Sequence, residues 1–479
     1  MTLRKLAALL LISTLFVAAI PMHSSSTASA AGSAVVNPKQ IYTYDILVRD
    51  LNKLAAAYPG LIKLDSIGKS EYGRDILQAD LGKGEAVVLL NGSHHAREWI
   101  TTILLMTMLD RYAQAYDRGD TWNGQPVREL LDRVTLRFIP MVNPDGVTLQ
   151  QQGLSAFPEE DHAALLAMND GSSNFKRWKA NAKGIDLNRQ YPADWANIRD
   201  PEPGPHYMNY KGKAPLQAKE AQALYDATLA TQPEIALAYH SSGEILYWHF
   251  HNDKANVSRD SALARRYAGM TGYRVVSPTS NPSGGGFTDW FIQQFGRSGL
   301  TPELGRPAGE THVPLTAWDR IWNQHRSTGW MLAEEAYNAW LIRQPVELGS
   351  GELRLTGNTR AYKWPDPKSA KLEVHYAGRY KLLRTKGDWA EIETASGARW
   401  VPARYAPTGE FDRLSGVRLS IDAETGVYDT PLAESPGPLR FAGQTVTALE
   451  RWNDWYLIAT WKGARWVRAS ETAGELPPV

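Results

Sequence analysis

Apolar residues along this chain follow two rhythms that change over near residue 345. Before that point, short continuous apolar runs at residues 86–90, 136–142 and 235–239 alternate with stretches of helical spacing. One such stretch, residues 41–58, repeats through Ile46, Leu51 and Leu54; another, from Ile100 onward, runs through Leu104, Leu105, Met108, Leu109 and Tyr112. Apolar positions every three or four residues make a stripe on one side of a helix, whereas an unbroken apolar run suits a strand buried on both faces. Such strands belong in a sheet covered by helices, so this part is predicted to be α/β.

After residue 345 the pattern becomes period-two alternation, broken by turn residues and rich in aromatics, and the chain repeats itself. Asp388-Trp389 and Gly397-Ala398-Arg399-Trp400-Val401 recur 66 residues later as Asp454-Trp455 and Gly463-Ala464-Arg465-Trp466-Val467; Tyr362 and Pro365 recur as Tyr428 and Pro431. Short strands in two similar copies predict two small SH3-like barrels, residues 350–408 and 414–475, with a hinge near residues 408–415. Most of their tryptophans are expected to fill the barrel cores, because small barrels need large side chains, and a few to line a groove. Tandem barrels of this kind resemble cell-wall-targeting modules, which makes cell-wall binding an expected role for this part.

Composition narrows the setting. Residues 1–30 carry Arg4 and Lys5, an apolar stretch over residues 6–20 and then Ala28-Ser29-Ala30, the grammar of a cleaved secretory signal. The apolar stretch is short for a membrane span, so no membrane association is expected after cleavage. The chain has no cysteine, which suits a bacterial exported protein stabilised by core and metal rather than by disulfides. Its 52 basic and 51 acidic side chains argue against a nucleic-acid partner. The region of residues 37–345 is long enough to hold a complete enzyme domain.

Chemistry concentrates where apolar runs end. His95-Ala96-Arg97-Glu98-Trp99 follows one run, and His95 and Glu98, three residues apart, can bend toward one divalent ion across a turn. Catalytic zinc usually takes three protein ligands, and His240, ending the run at residues 235–239, offers the third. Taken alone, His95 and Glu98 also fit a surface turn opening a helix, where an acid is welcome. His249-Phe250-His251 puts two imidazoles on one face of a predicted strand, but no carboxylate accompanies them, so a structural or peripheral role is expected.

Further segments shift the balance: Lys179 to Arg189, ending Gly-Ile-Asp-Leu-Asn-Arg; Gly284-Gly285-Gly286-Phe287-Thr288-Asp289-Trp290; and Leu300-Thr301-Pro302-Glu303-Leu304. With the His95 cluster and His240 in this order, the chain resembles the zinc metallocarboxypeptidases of the carboxypeptidase A type over roughly residues 40–345. The resemblance implies a mixed twisted sheet flanked by helices, one Zn2+ on His95, Glu98 and His240, and Glu303 as general acid and base. It further implies Arg97 and Lys179 as cations facing the developing oxyanion. Asn188 and Arg189 would grip a substrate carboxylate, Thr288 would lie at the side-chain pocket, and Asp186 would hold the His95 ring.

This sequence departs from the family at three points. Lys179 stands where arginine is usual, leaving Arg177 as an alternative cation. No tyrosine lies just before the glycine pair where a mobile-loop tyrosine is normal, Tyr273 being the nearest. Thr288, small and neutral, favours neither apolar nor basic chain ends. Asn143-Pro144-Asp145-Gly146 also fits the family but reads as an ordinary turn. Wall-type repeats and the missing tyrosine point to a secreted peptidase resembling the γ-D-glutamyl diamino acid peptidases, acting on peptidoglycan stem peptides. A general extracellular carboxypeptidase acting on peptides, and an inactive wall-binding relative, are the alternatives.

Overall fold

The computed structural model describes residues 34–433 and 436–476, so the leader expected over residues 1–30 lies outside the described residues. Eight strands form the central sheet: β1 (Ile62–Lys69), β2 (Asp75–Gly82), β3 (Ala86–Gly92), β4 (Val134–Ile139), β5 (Ile235–Tyr239), β6 (Ile245–Tyr247), β7 (Arg274–Val275) and β8 (Ser298–Glu303). Their order is β1-β2-β4-β3-β5-β8-β6-β7. The inner four, β4, β3, β5 and β8, are parallel. β1 and β2 pair antiparallel at one edge, and β6 runs antiparallel to β8 at the other. The sheet is therefore mixed, as the resemblance implied.

Alternate residues of the inner strands feed two cores, which is why their sequences are apolar at successive positions. Val88, Leu90, Leu237 and Tyr239 join a cluster with Ile103, Leu104 and Trp330, from helices α1 (Ile100–Arg118) and α2 (Thr328–Arg343). Leu89, Ala236 and Ala238 join a second cluster with Leu224, Phe287 and Phe291 on the opposite face. The helix expected over residues 41–58 spans Tyr44–Ala57, opened by Thr43, whose hydroxyl accepts from the Ile46 amide. Its buried stripe is Leu47, Leu51 and Leu54; Ile46, counted in the stripe from sequence, is only partly covered. No helix among the described residues is long and apolar enough to cross a membrane.

Beyond Arg343 the chain forms two antiparallel sheets, one from strands between residues 347 and 409, the other between residues 412 and 476. The sequence repeat is a structural one. In the first sheet Trp389 pairs with Pro402, Glu391 with Trp400 and Thr394 with Gly397; in the second, Trp455 pairs with Arg468, Leu457 with Trp466 and Thr460 with Gly463. Each hairpin turns at a glycine with left-handed φ, 97° at Gly397 and 92° at Gly463, where a side chain would be strained. The expected hinge is sewn into both sheets: Thr408 and Gly409 pair with Leu353 and Glu352, while Asp412 and Arg413 pair with Arg451 and Glu450.

Contrary to the expectation from sequence, Trp389 and Trp400 do not fill the first unit, whereas Trp466 is buried within the second, beside Tyr428 and Leu457. The interior of the first unit is Leu353, Leu355, Leu382, Ile392 and Val401, and that of the second is Leu419, Ile421, Tyr456, Ile458 and Val467. Trp389 and Trp400 belong instead to the core of the α/β part. Trp389 Nε1 donates to the Tyr337 hydroxyl at 2.7 Å, which donates to Asp388 Oδ1 at 2.6 Å, and Arg133 faces Asp388 at 3.5 Å. Arg133, Lys83 and Asp132 precede the N-terminal ends of β3 and β4, so the first unit docks at that end of the sheet. A cavity of roughly 980 Å3 opens at the same junction, lined in part by Lys83, Asp132, Trp340, Asp388, Arg404 and Tyr405.

Trp389 is 1% exposed, whereas Trp455, its counterpart one repeat later, is partly exposed under the Arg468 guanidinium. Trp389→Ala is expected to lower the unfolding free energy of the full chain by about 3–5 kcal/mol, and Trp455→Ala by less than half of that. Equal losses in urea titrations of the two variants would contradict the docked arrangement.

Candidate metal centre

β3 ends at Gly92, and Ser93, with φ 52°, turns the chain sharply toward His94 and His95. A short 3-10 turn, Ala96–Glu98, follows and runs into α1. That turn brings Glu98 back over His95, with Oε1 2.9 Å from His95 Nδ1. His240 follows directly on β5 and is held by the backbone of the neighbouring strand: its amide donates to the Pro302 carbonyl and its carbonyl accepts from Leu304, at 3.0 and 2.8 Å. Its Nδ1 lies 2.9 Å from Glu98 Oε2 and 3.1 Å from His95 Nδ1. One donor atom from each of the three residues falls within 4.8 Å of the other two, and all three side chains are buried.

The donor set fits zinc. Asp186 Oδ1 lies 3.1 Å from His95 Nε2, and a carboxylate there can only accept, so Nε2 carries the proton and Nδ1 turns a lone pair to the centre. Two imidazole nitrogens and a carboxylate then converge in a buried space, an electron-rich arrangement that a divalent cation neutralises. Burial by itself would raise the Glu98 carboxyl, but the facing histidines outweigh it and hold it below the ordinary carboxylate range. Zinc held by these residues would act as a Lewis acid, polarising a carbonyl and acidifying water.

Asp186, fully buried, is the anchor behind the centre. Burial opposes its ionisation, yet Lys179 and His95 together hold its carboxyl well below the usual range. Lys179 Nζ donates to Asp186 Oδ2 at 2.8 Å, and the amides of Asn188 and Asn209 donate to the same carboxylate. Of the two cations weighed from sequence, Lys179 thus faces the centre. Arg177 is turned away, stacked over the Tyr207 ring at 3.8 Å and paired with Asp170. Arg97 is held by the Arg177 carbonyl at 3.0 Å.

Asn188 and Arg189 lie in the 3-10 turn Leu187–Arg189, which Asp186 caps. Asn188 Oδ1 accepts from the Phe287 amide, and Arg189 donates to the Arg199 carbonyl and to Asn209 Oδ1. Glu303 ends β8 and forms a parallel bridge with His240. Burial, then the Glu98 charge, pushes its carboxyl up to about 7. Thr288, in the first turn of the helix Phe287–Phe295, is buried with its hydroxyl 2.6 Å from that of Thr301. Asn143 accepts from the Gly146 amide to open a helix and donates to the carbonyls of His94 and Ala180, bracing the loops around the centre.

One reading from sequence is corrected here. His249 and His251 are not on one strand face, because the strand ends at Tyr247 and His251 has a left-handed φ of 48°. Tyr273, the nearest tyrosine to the loop position in the sequence, is 4% exposed with its hydroxyl accepting from the Gly305 amide, so it is a core residue, in keeping with the absence of a loop tyrosine. Asn209, which ties Asp186, Lys179 and Arg189 together, was missed. It belongs to an irregular loop with no recognisable pattern around it.

Comparison with known proteins accords with this geometry. A family model described as Zinc carboxypeptidase matches residues 47–326. The chain is similar to Gamma-D-glutamyl-L-diamino acid endopeptidase 1 of Lysinibacillus sphaericus, 37% identical over 60% of this chain and 72% of that protein. It is 30% identical to an uncharacterized protein of Bacillus subtilis (strain 168) over 62% of this chain and 78% of the relative. In fold it is similar to the crystal structure of thrombin activatable fibrinolysis inhibitor, with a TM-score of 0.52 at 16% identity, covering 64% of this chain and 78% of the other.

Asp186→Ala leaves all three donor residues in the chain but frees the His95 ring. Zinc affinity, measured by competition with a chromophoric chelator, is expected to fall by about 10–100-fold. An affinity equal to that of the unaltered protein would rule out the anchoring role.

Proposed function

The chain belongs to the zinc carboxypeptidase family and is a zinc-dependent hydrolase, and on that premise we propose that it is a secreted bacterial peptidase of peptidoglycan stem peptides, cutting the γ-D-glutamyl–diaminopimelate bond. The observation that carries the substrate class is its likeness to a relative named for hydrolysis at a γ-D-glutamyl–diamino acid linkage. A general carboxypeptidase taking single residues from extracellular peptides is the reading this must beat.

Each side chain has a task in that reaction. Glu303 takes a proton from the attacking water and later hands it to the leaving amine; its place beside His240 and its raised carboxyl pKa of about 7 support this role. Arg97 and Lys179 oppose the charge that grows on the carbonyl oxygen, each cation of this kind being worth about two to three powers of ten in rate. Lys179, joined to Asp186, also steadies the His95 ring. Arg189, with Asn188, binds the free α-carboxylate of the released residue, for which a planar guanidinium is well shaped.

Export is supported by the composition of residues 1–30 and by the absence of cysteine. We read the two C-terminal all-β units as SH3-like wall-binding modules. Their docking at the N-terminal end of the parallel strands supports an anchor that leaves the substrate side clear, since His95, His240 and Glu303 gather at the other end.

With a synthetic L-Ala-γ-D-Glu-meso-diaminopimelate peptide, free diaminopimelate is the expected product by mass. Glu303→Gln should reduce the rate by about a thousandfold or more with zinc content unchanged. Turnover of hippuryl-type substrates alone would favour the general carboxypeptidase. The full-length Glu303→Gln protein is further expected to sediment with purified peptidoglycan sacculi, and failure to be retained would remove the wall-binding role.

A further inference from the structure

The edge of the sheet beyond Glu303 carries a cation that the reaction described above does not use. β6 runs antiparallel to β8, with Ile245 opposite Glu303, Leu246 opposite Pro302 and Tyr247 opposite Thr301. Residues opposed in this way project to the same face, and neighbours along a strand to opposite faces. Leu246 is buried in the cluster that includes Tyr239 and Tyr267. Ile245 and Tyr247 therefore share the other face with Glu303 and Thr301, the face on which Thr288 meets Thr301. β7 continues this face: it pairs parallel with β6, and Arg274 is in register with Ile245.

The chemistry of that face is specific. Thr288 and Thr301 offer neutral hydroxyls, and Tyr247, 45% exposed, offers a phenol. Asp289 Oδ2 accepts from the Gly286 amide and so caps its own helix. Arg274 is exposed, and its guanidinium has no hydrogen-bond or ion-pair partner among the described residues. Burial raises the Tyr247 phenol first, and the charges of Glu303 and Arg274 then act on it in opposite senses. β7 lies two strand spacings from β8, about 10 Å, and the long arginine side chain can span part of that gap.

On this face Ile245 stands in register between Glu303 and Arg274, so the cation lies one strand beyond an aliphatic side chain. The face has an unpaired planar cation and a hydroxyl donor, the groups that bind a carboxylate. We propose that Arg274, aided by the Tyr247 hydroxyl, binds the side-chain carboxylate of a diamino diacid, and so separates diaminopimelate from lysine, which is the same side chain without that carboxylate. The inference rests on the reading of the chain as a stem-peptide hydrolase and assigns the residues that make it selective. Arg189 holds the α-carboxylate, and Arg274 holds the distal one.

The test compares γ-D-glutamyl-meso-diaminopimelate with γ-D-glutamyl-L-lysine, using the full-length zinc-loaded protein. Arg274→Gln is expected to lower the ratio of kcat/KM for the diaminopimelate over the lysine peptide by about tenfold or more, through KM, with the lysine peptide unaffected. Arg274→Lys should restore part of the ratio, and Tyr247→Phe should lower it by about tenfold, the size of one hydrogen bond to a charged group. A ratio unchanged in Arg274→Gln, or an equal loss on both peptides, overturns the assignment. The same pair offered as α-linked N-acyl peptides separates the two levels of the argument. A protein that cleaves only the α-linked pair rejects the γ-D-glutamyl substrate class, yet still reads whether Arg274 selects the side-chain carboxylate.

Discussion

The buried carboxylate of Asp186 is the constraint on which the centre depends. A fully enclosed charge is tolerated only when its lone pairs are taken up, and here Lys179, the His95 ring and the amides of Asn188 and Asn209 do so. Those same partners are the groups that need orienting. Satisfying one acid therefore fixes the tautomer of a metal-binding histidine, the position of a lysine facing the cleft and the turn that carries Asn188 and Arg189. The polar network is compact because every member serves both the fold and the site.

The parallel strands impose a direction on everything else. His95, His240 and Glu303 gather where β3, β5 and β8 finish, as sites in open α/β sheets do, because loops there are free to turn inward without breaking the ladder. At the opposite end, Arg133 and Tyr337 meet Asp388 and Trp389, so the β-rich tail and the metal centre occupy two poles of one sheet. The tail is built into the protein rather than trailing from it. Trp389 and Trp400 complete an apolar core begun by the helices, and Arg354 pairs with Glu450 across the two repeats at 2.7 Å.

Much of this was legible in the chain before any coordinates. Unbroken apolar runs marked β3, β4 and β5, and the run at residues 235–239 coincides with β5. The duplication of Trp389 and Trp400 as Trp455 and Trp466 foretold two hairpins of identical register. The assumption that aromatic residues fill the unit that carries them held for Trp466 but misled for Trp389 and Trp400. Alternation reports which side of a strand is covered, not which domain does the covering. The stretch around His249 and His251 failed for a related reason, since period-two reasoning ends where the strand does, at Tyr247.

Taken by itself, the sequence determined the covered sheet, the duplicated tail and the residue types suited to hold zinc, because burial and ligand chemistry are properties of residue type and local spacing. That Lys179 rather than Arg177 joins Asp186, that Asn209 braces the site, and that Tyr247 and Arg274 extend the face of Glu303 came from the folded arrangement. These relations arise from strand order and register between segments distant in the chain, and strand pairing leaves no periodic trace in either segment alone.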